Sequence, residues 1–369
     1  MTRSDFTGAE GREPPRLLLA GIDSLYAGYY LDTSAAAFDW DEIQYQKERV
    51  QQSRSDDYAE IELGSERFAL RPSGRFPYNY VFENRAFHVA LGEHIRPSCY
   101  VQFLSEALWK EGAQALHRRL LAWAGSVSLT PAEPEGLSRV DLAFDFALEE
   151  IDFSEDHFVT RAKKDGKWRG DRKAESFQFG TGDVVVRVYD KAKEIEQASG
   201  KVFFHQLWGQ SEGVWRIEFQ VRKARLRTAG IVTMGDLAEY QGDLLRELAT
   251  NHTSLRLPDA SDSNRSRWPL HPLWRALQAA IDAMPQHGLV ESLSAVTSLE
   301  YRLHQQLTAI YGYCKGAGAT LALIAGEEEA PTLSVVLGKL RRLLAIRHQP
   351  ADWDEDVTKR MRGYALGKW

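Results

Sequence analysis

Three segments in the middle of the chain alternate strictly between apolar and polar residues, and they constrain the fold more than any other feature. They read SRVDLAFDF, VVVRVYDK and WRIEFQVRK. Period-two alternation sends successive side chains to opposite faces of a strand. In the first segment Val140, Leu142, Phe144 and Phe146 share one face, while Arg139, Asp141, Ala143 and Asp145 share the other. In the second, Val184, Val186 and Val188 oppose Arg187, Tyr189 and Lys191. In the third, Trp215, Ile217, Phe219 and Val221 oppose Arg216, Glu218, Gln220 and Arg222. Strands with one apolar and one charged face suit an antiparallel sheet packed on one side. In one such sheet the charged faces merge into a single polar surface.

The flanking sequence fits around that sheet. Residues 1–16 are polar and read as a flexible tail without an apolar signal core, so export is not indicated. Leu17 to Leu31 reads as two short strands around Gly21-Ile22-Asp23 and Ala27-Gly28. Asp39 to Ser53 reads as helix or loop, Tyr58 to Leu70 as a hairpin, and Phe87 to Gly92 and Cys99 to Phe103 as further strands. Glu106 to Trp123 carries apolar residues at helical spacing, and the following TPAEPEG predicts a turn that ends the helix. Helices are predicted over Met234 to Thr250, Pro272 to Met284, Leu289 to Tyr313 and Thr332 to His348, with a polar linker at Asp259 to Arg267 and a mobile basic tail, KRMRGYALGKW, at the end. The expected class is therefore α+β, an antiparallel sheet with flanking helices plus a mostly helical C-terminal region. The expected division is 1–16, 17–258 and 259–369.

Hydrophobic residues make up 43% of the chain, enough for a real core, and no run is long enough to span a membrane. Cys99 and Cys314 lie far apart and in no metal-ligand spacing, which suits a reducing cytoplasm. The net charge of −6 argues against a protein that coats DNA. The charge is unevenly spread, however: Arg161 to Arg227 holds sixteen basic residues against nine acidic ones. A basic centre in an acidic chain suits local contact with nucleic acid, though ordinary surface charge has the same look.

Carboxylates gathered on one sheet face repel one another unless cations offset them. Oxygen-rich sites suit Mg²⁺ or Mn²⁺, which also bind phosphate oxygens and stabilise a leaving alkoxide. A tyrosine among them could attack phosphorus, given nearby positive charge from Arg187 or Lys191. A solvated ladder of ion pairs, with Tyr189 as packing, is the other way to build the same pattern.

The order of the boxes SRVDLAFDF, RVYDKAKEIE and WRIEFQVRK resembles the replication initiation factor (Rep_trans) family of rolling-circle plasmid and phage initiators, with related relaxases of integrative and conjugative elements. The resemblance is clear from about Gly136 to Arg227. It implies a permuted relative of the HUH endonucleases, and the chain indeed has no His-x-His pair. It implies that Tyr189 is the nicking nucleophile, assisted by Arg187, and that Asp141, Asp145 and Glu218 hold Mg²⁺ or Mn²⁺; Lys191 joins the catalytic candidates on its place beside the tyrosine. Gln102 stands where related sequences carry an acid. The implied reaction leaves a 5′-phosphotyrosine and a free 3′-hydroxyl, and needs no ATP. Origin DNA, single-stranded or extruded as a hairpin, is the implied partner; a host helicase and a second copy of the chain are partners it allows.

Further DNA contacts are expected from the segment RAKKDGKWRGDRK, through Lys163, Lys164, Lys167, Trp168, Arg169, Arg172 and Lys173, and from Arg216 on the charged face. Three other functions remain open on the sequence. They are a relaxase using the same chemistry, a DNA-binding protein without cleavage, and a hydrolase built on paired carboxylates. His205, between two boxes, reads as a partly buried polar residue.

Overall fold

The computed structural model describes residues 15–288, apart from 38, 54–57, 93, 149 and 171–172, together with residues 295–365; for 165, 167–170, 173–175, 295–302, 304–305 and 363–365 it describes the backbone alone. In chain order the strands are β1 (Arg16–Asp32), β2 (Ala59–Leu63), β3 (Glu66–Leu70), β4 (Tyr80–Glu83), β5 (Phe87–Leu91), β6 (Cys99–Phe103), β7 (Thr130–Ala147), β8 (Phe158–Thr160), β9 (Asp165–Gly170), β10 (Lys173–Phe179), β11 (Val184–Asp190), β12 (Val214–Arg222) and β13 (Thr253–Leu255). The helices are α1 (Trp40–Gln52), α2 (Ser105–Glu111), α3 (Ala113–Ser126), α4 (Lys191–Glu194), α5 (Phe203–Trp208), α6 (Lys223–Thr228), α7 (Met234–Glu247), α8 (Pro272–Asp282), α9 (Ala295–Ala325), α10 (Leu333–Arg347) and α11 (Pro350–Ala365).

Among the described residues, eleven strands form one sheet in the order β2-β3-β4-β5-β6-β1-β7-β12-β11-β10-β9, and every pairing is antiparallel. Strands β8 and β13 pair separately. The apolar face of the large sheet is covered by helices, as the alternation requires. Trp123 of α3 packs edge-on against Phe68 of β3, with ring centroids 5.3 Å apart. Trp274 of α8 packs against Phe219 of β12 at 6.4 Å. Leu142, Phe144, Phe146, Ile217 and Phe219 are all buried in this core.

Four local expectations are corrected by packing. Leu17 to Leu31 is one long strand, not two. A Cβ on Gly21 would lie 2.7 Å from the Trp109 ring, and one on Gly28 would lie 2.6 Å from Pro97. Those glycines admit close neighbours and do not break the strand. The TPAEPEG segment is the first part of β7, not a turn. It pairs with β1 through Leu31↔Pro131 and Tyr30↔Glu133, whereas β12 pairs only with Arg139 to Ala147. One side of the segment is thus an edge, where proline is tolerated. The helix expected from Glu106 to Trp123 is two helices split at Gly112, whose φ is 80° and ψ 154°. That conformation belongs to glycine, so Gly112→Ala is expected to lower unfolding stability by about 1–3 kcal/mol in urea titrations. Finally, much of the presumed basic tail lies in α11, and its last four residues, 366–369, are outside the described set.

The chain divides into two compact units, Met1–Leu289 and Val290–Trp369. The expected boundary at 258/259 therefore falls inside the first unit. The reason is α8: Leu273, Trp274, Leu277 and Ile281 are buried, and Trp274 Nε1 donates to the Ala249 carbonyl at 2.8 Å. The second unit consists of helices α9, α10 and α11. Most of residues 1–16 lie outside the described set, and Arg16 already pairs in β1 with Ala147. Among the described residues no helix is long and apolar enough to cross a membrane.

Candidate active site

The three boxes meet on adjacent strands, β7, β12 and β11. Their register sets the polar face out in rows. Tyr189 lies opposite Arg216, which lies opposite Asp145. One row along are Arg187, Glu218 and Ala143; the next holds Val185, Gln220 and Asp141. Ala143 lies between the two aspartates on β7, and Glu218 is its partner on β12.

Tyr189 is half-buried, and its hydroxyl donates to Glu218 Oε2 at 3.0 Å. The other oxygen of Glu218 accepts from Arg187 Nη1 at 2.8 Å. Arg187 also donates to Gln220 Oε1 at 3.2 Å through both Nη atoms, and its Nε donates to Gln178 at 3.1 Å. The phenol is thus aimed at a carboxylate that a guanidinium holds in place. Burial raises the pKa of Tyr189 well above the ordinary phenol range, and the charge of Glu218 adds to that; Arg216 opposes both. At rest Tyr189 therefore keeps its proton.

Asp141 takes a two-pronged bond from Arg139, with Nε at 2.8 Å and Nη2 to the other oxygen. Burial still lifts its pKa to about 6, with the Arg139 hydrogen bonds pulling down and the charge of Glu218 pushing up. The two carboxylates thus sense each other across the face. Gln220 is buried, and its Nε2 has no hydrogen-bond partner among the described residues.

The remaining charges form a sealed cage beside this site. Arg216 is 0% exposed. Its Nε and Nη2 bind the two oxygens of Asp145 at 2.6 and 2.9 Å, and Nη1 lies 2.9 Å from Asp23 as an ion pair. Trp208 Nε1 donates to Asp145 at 2.9 Å. Asp23 also accepts from Ser105 and from Trp109 Nε1, each at 2.9 Å. The cage is roofed by α5, with the Phe204 ring 4.6 Å from the Arg216 guanidinium.

Two expectations are corrected here. Arg216 does not offer its charge to DNA, because it is enclosed and committed to two aspartates. Asp145 does not suit a metal, because it and the Arg216 that holds it are both 0% exposed, whereas the Arg139 that holds Asp141 is partly open to solvent. Lys191 is close to Tyr189 but is placed differently from the expectation. It opens α4, is buried, pairs with Glu194, and sets its Nζ 5.7 Å from the centre of the Tyr189 ring. Burial lowers its pKa, and the charge of Arg216 lowers it further.

Among the described residues no group of three or more His, Cys, Asp or Glu side chains is set to hold a metal. Mg²⁺, however, is commonly bound by one or two carboxylates together with substrate phosphates. Asp141 and Glu218 fit that donor set. Each carboxylate has about four acceptor positions, and the bonds described leave some open.

The expected DNA-contact segment forms the β9–β10 edge of the sheet. Lys163 and Lys164 are exposed in the loop before β9. Lys167, Trp168 and Arg169 lie on β9 and Lys173 on β10; Arg172 lies outside the described residues. Trp168 pairs with Ser176, which pairs with Tyr189, so Trp168 sits two strands from Tyr189 in one row. His205 is near the cage, 6.0 Å from Trp208 between ring centres, and does not join the tyrosine cluster. Asp23, Gln178 and Trp208 are the site residues that alternation alone did not single out.

No family model matches the chain, and no curated protein matches it. Among solved structures, the rolling circle replication initiator protein from Geobacillus stearothermophilus is similar to it at a TM-score of 0.43 and 17% identity, over 74% of this chain and 99% of that one.

Proposed function

We propose that the chain nicks and rejoins one DNA strand through Tyr189, and so initiates rolling-circle replication of a plasmid, phage or mobile element. The observation that carries this reading is the Tyr189 hydroxyl donating to Glu218 at 3.0 Å while Arg187 holds the same carboxylate. A nucleophile, a proton acceptor within reach and a fixed orienting group are the parts of covalent catalysis. The order of the three boxes, with its resemblance to the replication initiation factor family, supports the choice of a phosphodiester as substrate. The unpartnered Gln220 Nε2 supports it too, since a phosphate oxygen would satisfy that buried donor.

In the forward step the Tyr189 oxygen forms a bond to phosphorus, and the bond from phosphorus to the 3′ oxygen breaks. The phenolic proton passes to Glu218 Oε2, and the departing 3′ oxygen takes a proton from water. The products are a 5′-phosphotyrosine and a 3′-hydroxyl. The reverse step rejoins the strand with no outside energy source, because one phosphodiester replaces another. Arg187 keeps Glu218 oriented and offsets charge on the phosphate. Asp141 and Glu218 would hold a Mg²⁺ or Mn²⁺ ion, which when bound supplies charge neutralisation at the phosphate.

The test is incubation of the protein with supercoiled DNA carrying the origin of its own element. Open circles bearing protein on a 5′ end are expected with Mg²⁺ or Mn²⁺, and none with excess chelator. Glu218→Gln keeps the shape but weakens the proton acceptor, so nicking is expected to slow by about a hundredfold or more. The reading is overturned if no covalent protein–DNA species forms on either supercoiled or single-stranded origin DNA.

A further inference from the structure

The polar face continues past the tyrosine cluster, across β7 and β1 to β6, and there its chemistry changes from carboxylates to aromatic rings with arginines over them. Tyr26 of β1 lies opposite Arg139 on one side and Gln102 on the other. The Arg139 guanidinium stands 5.2 Å from the centre of the Tyr26 ring. Tyr100 of β6 is 6.4 Å from Tyr26 between ring centres and donates to or accepts from Ser138 Oγ at 2.8 Å. Tyr78 stacks on Tyr100 at 6.3 Å, and Arg75 stands 4.9 Å above the Tyr100 ring. Tyr26, Tyr30 and Tyr100 are partly exposed rings on this side of the sheet. Arg75 has no carboxylate within ion-pair distance among the described residues.

The turn Arg75–Tyr78 projects from the same face. It is pinned by Arg75 N to Tyr78 O at 3.0 Å and by Tyr78 N to Arg75 O at 2.7 Å. Tyr78 is buried, and its hydroxyl is tied to the Pro97 carbonyl at 3.0 Å. Gly74 lets the chain close up here: a Cβ would lie 2.6 Å from Tyr78 O. At the tip of this fixed turn Phe76 is 99% exposed. Loops that merely connect strands put small polar residues at such tips, and an aromatic ring held wholly in water at a rigid apex is costly unless something covers it.

We propose that this surface is a docking platform for unpaired nucleic acid: bases stack on Phe76, Tyr100 and Tyr26, and phosphates are met by Arg75 and Arg139. Stacking on aromatic rings combined with a cationic track is how single strands are gripped without regard to sequence. Duplex DNA hides its base faces and gains nothing from the rings. The platform leads directly to the proposed nucleophile. Tyr26 faces Arg139, Arg139 binds Asp141, and Glu218, which accepts from Tyr189, lies one row beyond Asp141. From β6 to β11 is four strand spacings, about 19 Å across the sheet, and the Tyr26–Arg139–Arg222 row lies about 20 Å along the strands from the Tyr189–Arg216 row, a span of a few nucleotides of extended single strand. A strand lying on the platform would thus present its continuation to Tyr189. The part concerning Tyr189 rests on the proposed nicking reaction; the binding itself does not.

The test uses the 369-residue chain with a fluorescent 20-nucleotide mixed-sequence single strand, and the same sequence as a duplex, read by anisotropy at low salt. Phe76→Ala is expected to weaken single-strand binding by roughly fivefold to a hundredfold and to leave duplex binding unchanged. Phe76→Trp should restore it, and Arg75→Gln should weaken it and reduce its salt dependence. Because Phe76 touches nothing that holds the fold, the melting temperature of these variants should match that of the parent. Single-strand binding unchanged in Phe76→Ala, equal loss on single strand and duplex, or no single-strand binding by the parent each overturns the proposal. If binding depends on Phe76 but no covalent adduct ever forms, the platform stands and the nicking reaction falls.

Discussion

Replacing Arg216 by alanine is expected to cost the fold about 3–5 kcal/mol, among the largest effects a single substitution here can have. The guanidinium is 0% exposed and holds both oxygens of Asp145, with Asp23 2.9 Å from its third nitrogen. Alanine would strand two buried carboxylates in a space closed by Trp109, Phe204 and Trp208. Burial works to raise the pKa of Asp23, yet the charge of Arg216, helped by Lys201 and Lys191, holds it far below the ordinary 3.8. The folded carboxyl therefore titrates below the unfolded one. Its contribution to stability is fully present at neutral pH and is lost progressively as pH falls below about 3.8. Urea unfolding at pH 7 should show the loss directly. A double variant, Arg216→Met with Asp145→Leu, should recover part of it, since removing both partners leaves fewer stranded charges. A stability for Arg216→Ala within about 1 kcal/mol of the parent would mean that the cage is not holding this end of the sheet.

That cage also marks where reading the sequence stops. Alternation placed Arg139, Asp141, Asp145, Arg187, Tyr189, Arg216 and Glu218 on one face, and on that face they lie. It could not divide them. Whether a carboxylate is open to a ligand or clamped by an arginine depends on the register of neighbouring strands and on what roofs them. Asp145 falls opposite Arg216, under α5, and is clamped by an arginine with no exposure; Glu218 falls one row away and Asp141 two, both buried and arginine-bound, but by Arg187 and Arg139, which are partly exposed. Asp23 was hidden for a related reason. It sits at a bulge between Ile22 and Ser24 in the pairing of β1 with β7, where simple alternation no longer says which way a side chain turns. Glycine and proline misled in the opposite sense. Gly21, Gly28, Pro131 and Pro134 look like strand breakers, but close neighbours and an unpaired edge accommodate them. The boundary near Asp259 followed from polar composition, whereas the compact unit is set by the burial of Trp274, a contact no local pattern displays.

Tyr189→Phe is expected to abolish the covalent protein–DNA species, a loss of at least about a thousandfold, or about 4 kcal/mol of barrier lowering. The substitution removes one oxygen and little else. The ring keeps its place beside Lys191, whose Nζ lies 5.7 Å from the ring centre. Glu218 loses one donor but keeps Arg187 at 2.8 Å, so the fold should lose only about 0.5–1.5 kcal/mol. The variant should therefore fold, bind a single strand like the parent and carry no DNA after denaturation. In the proposed reaction the phenol starts protonated, and the hydrogen bond to Glu218 would give its proton a path to Oε2 as the bond to phosphorus forms. A mechanism in which water is the nucleophile needs neither that hydroxyl nor a protein-linked intermediate, and it would leave nicking intact in the phenylalanine variant. The decisive measurement is gel transfer to the protein of label from 3′-end-labelled DNA, whose label lies downstream of the nick, with digestion and mass spectrometry to locate the adduct. Label on Tyr189 in the parent and none in the variant is the expected result. Label retained by the variant would move the nucleophile to another residue and leave Tyr189 as a packing group beside Glu218.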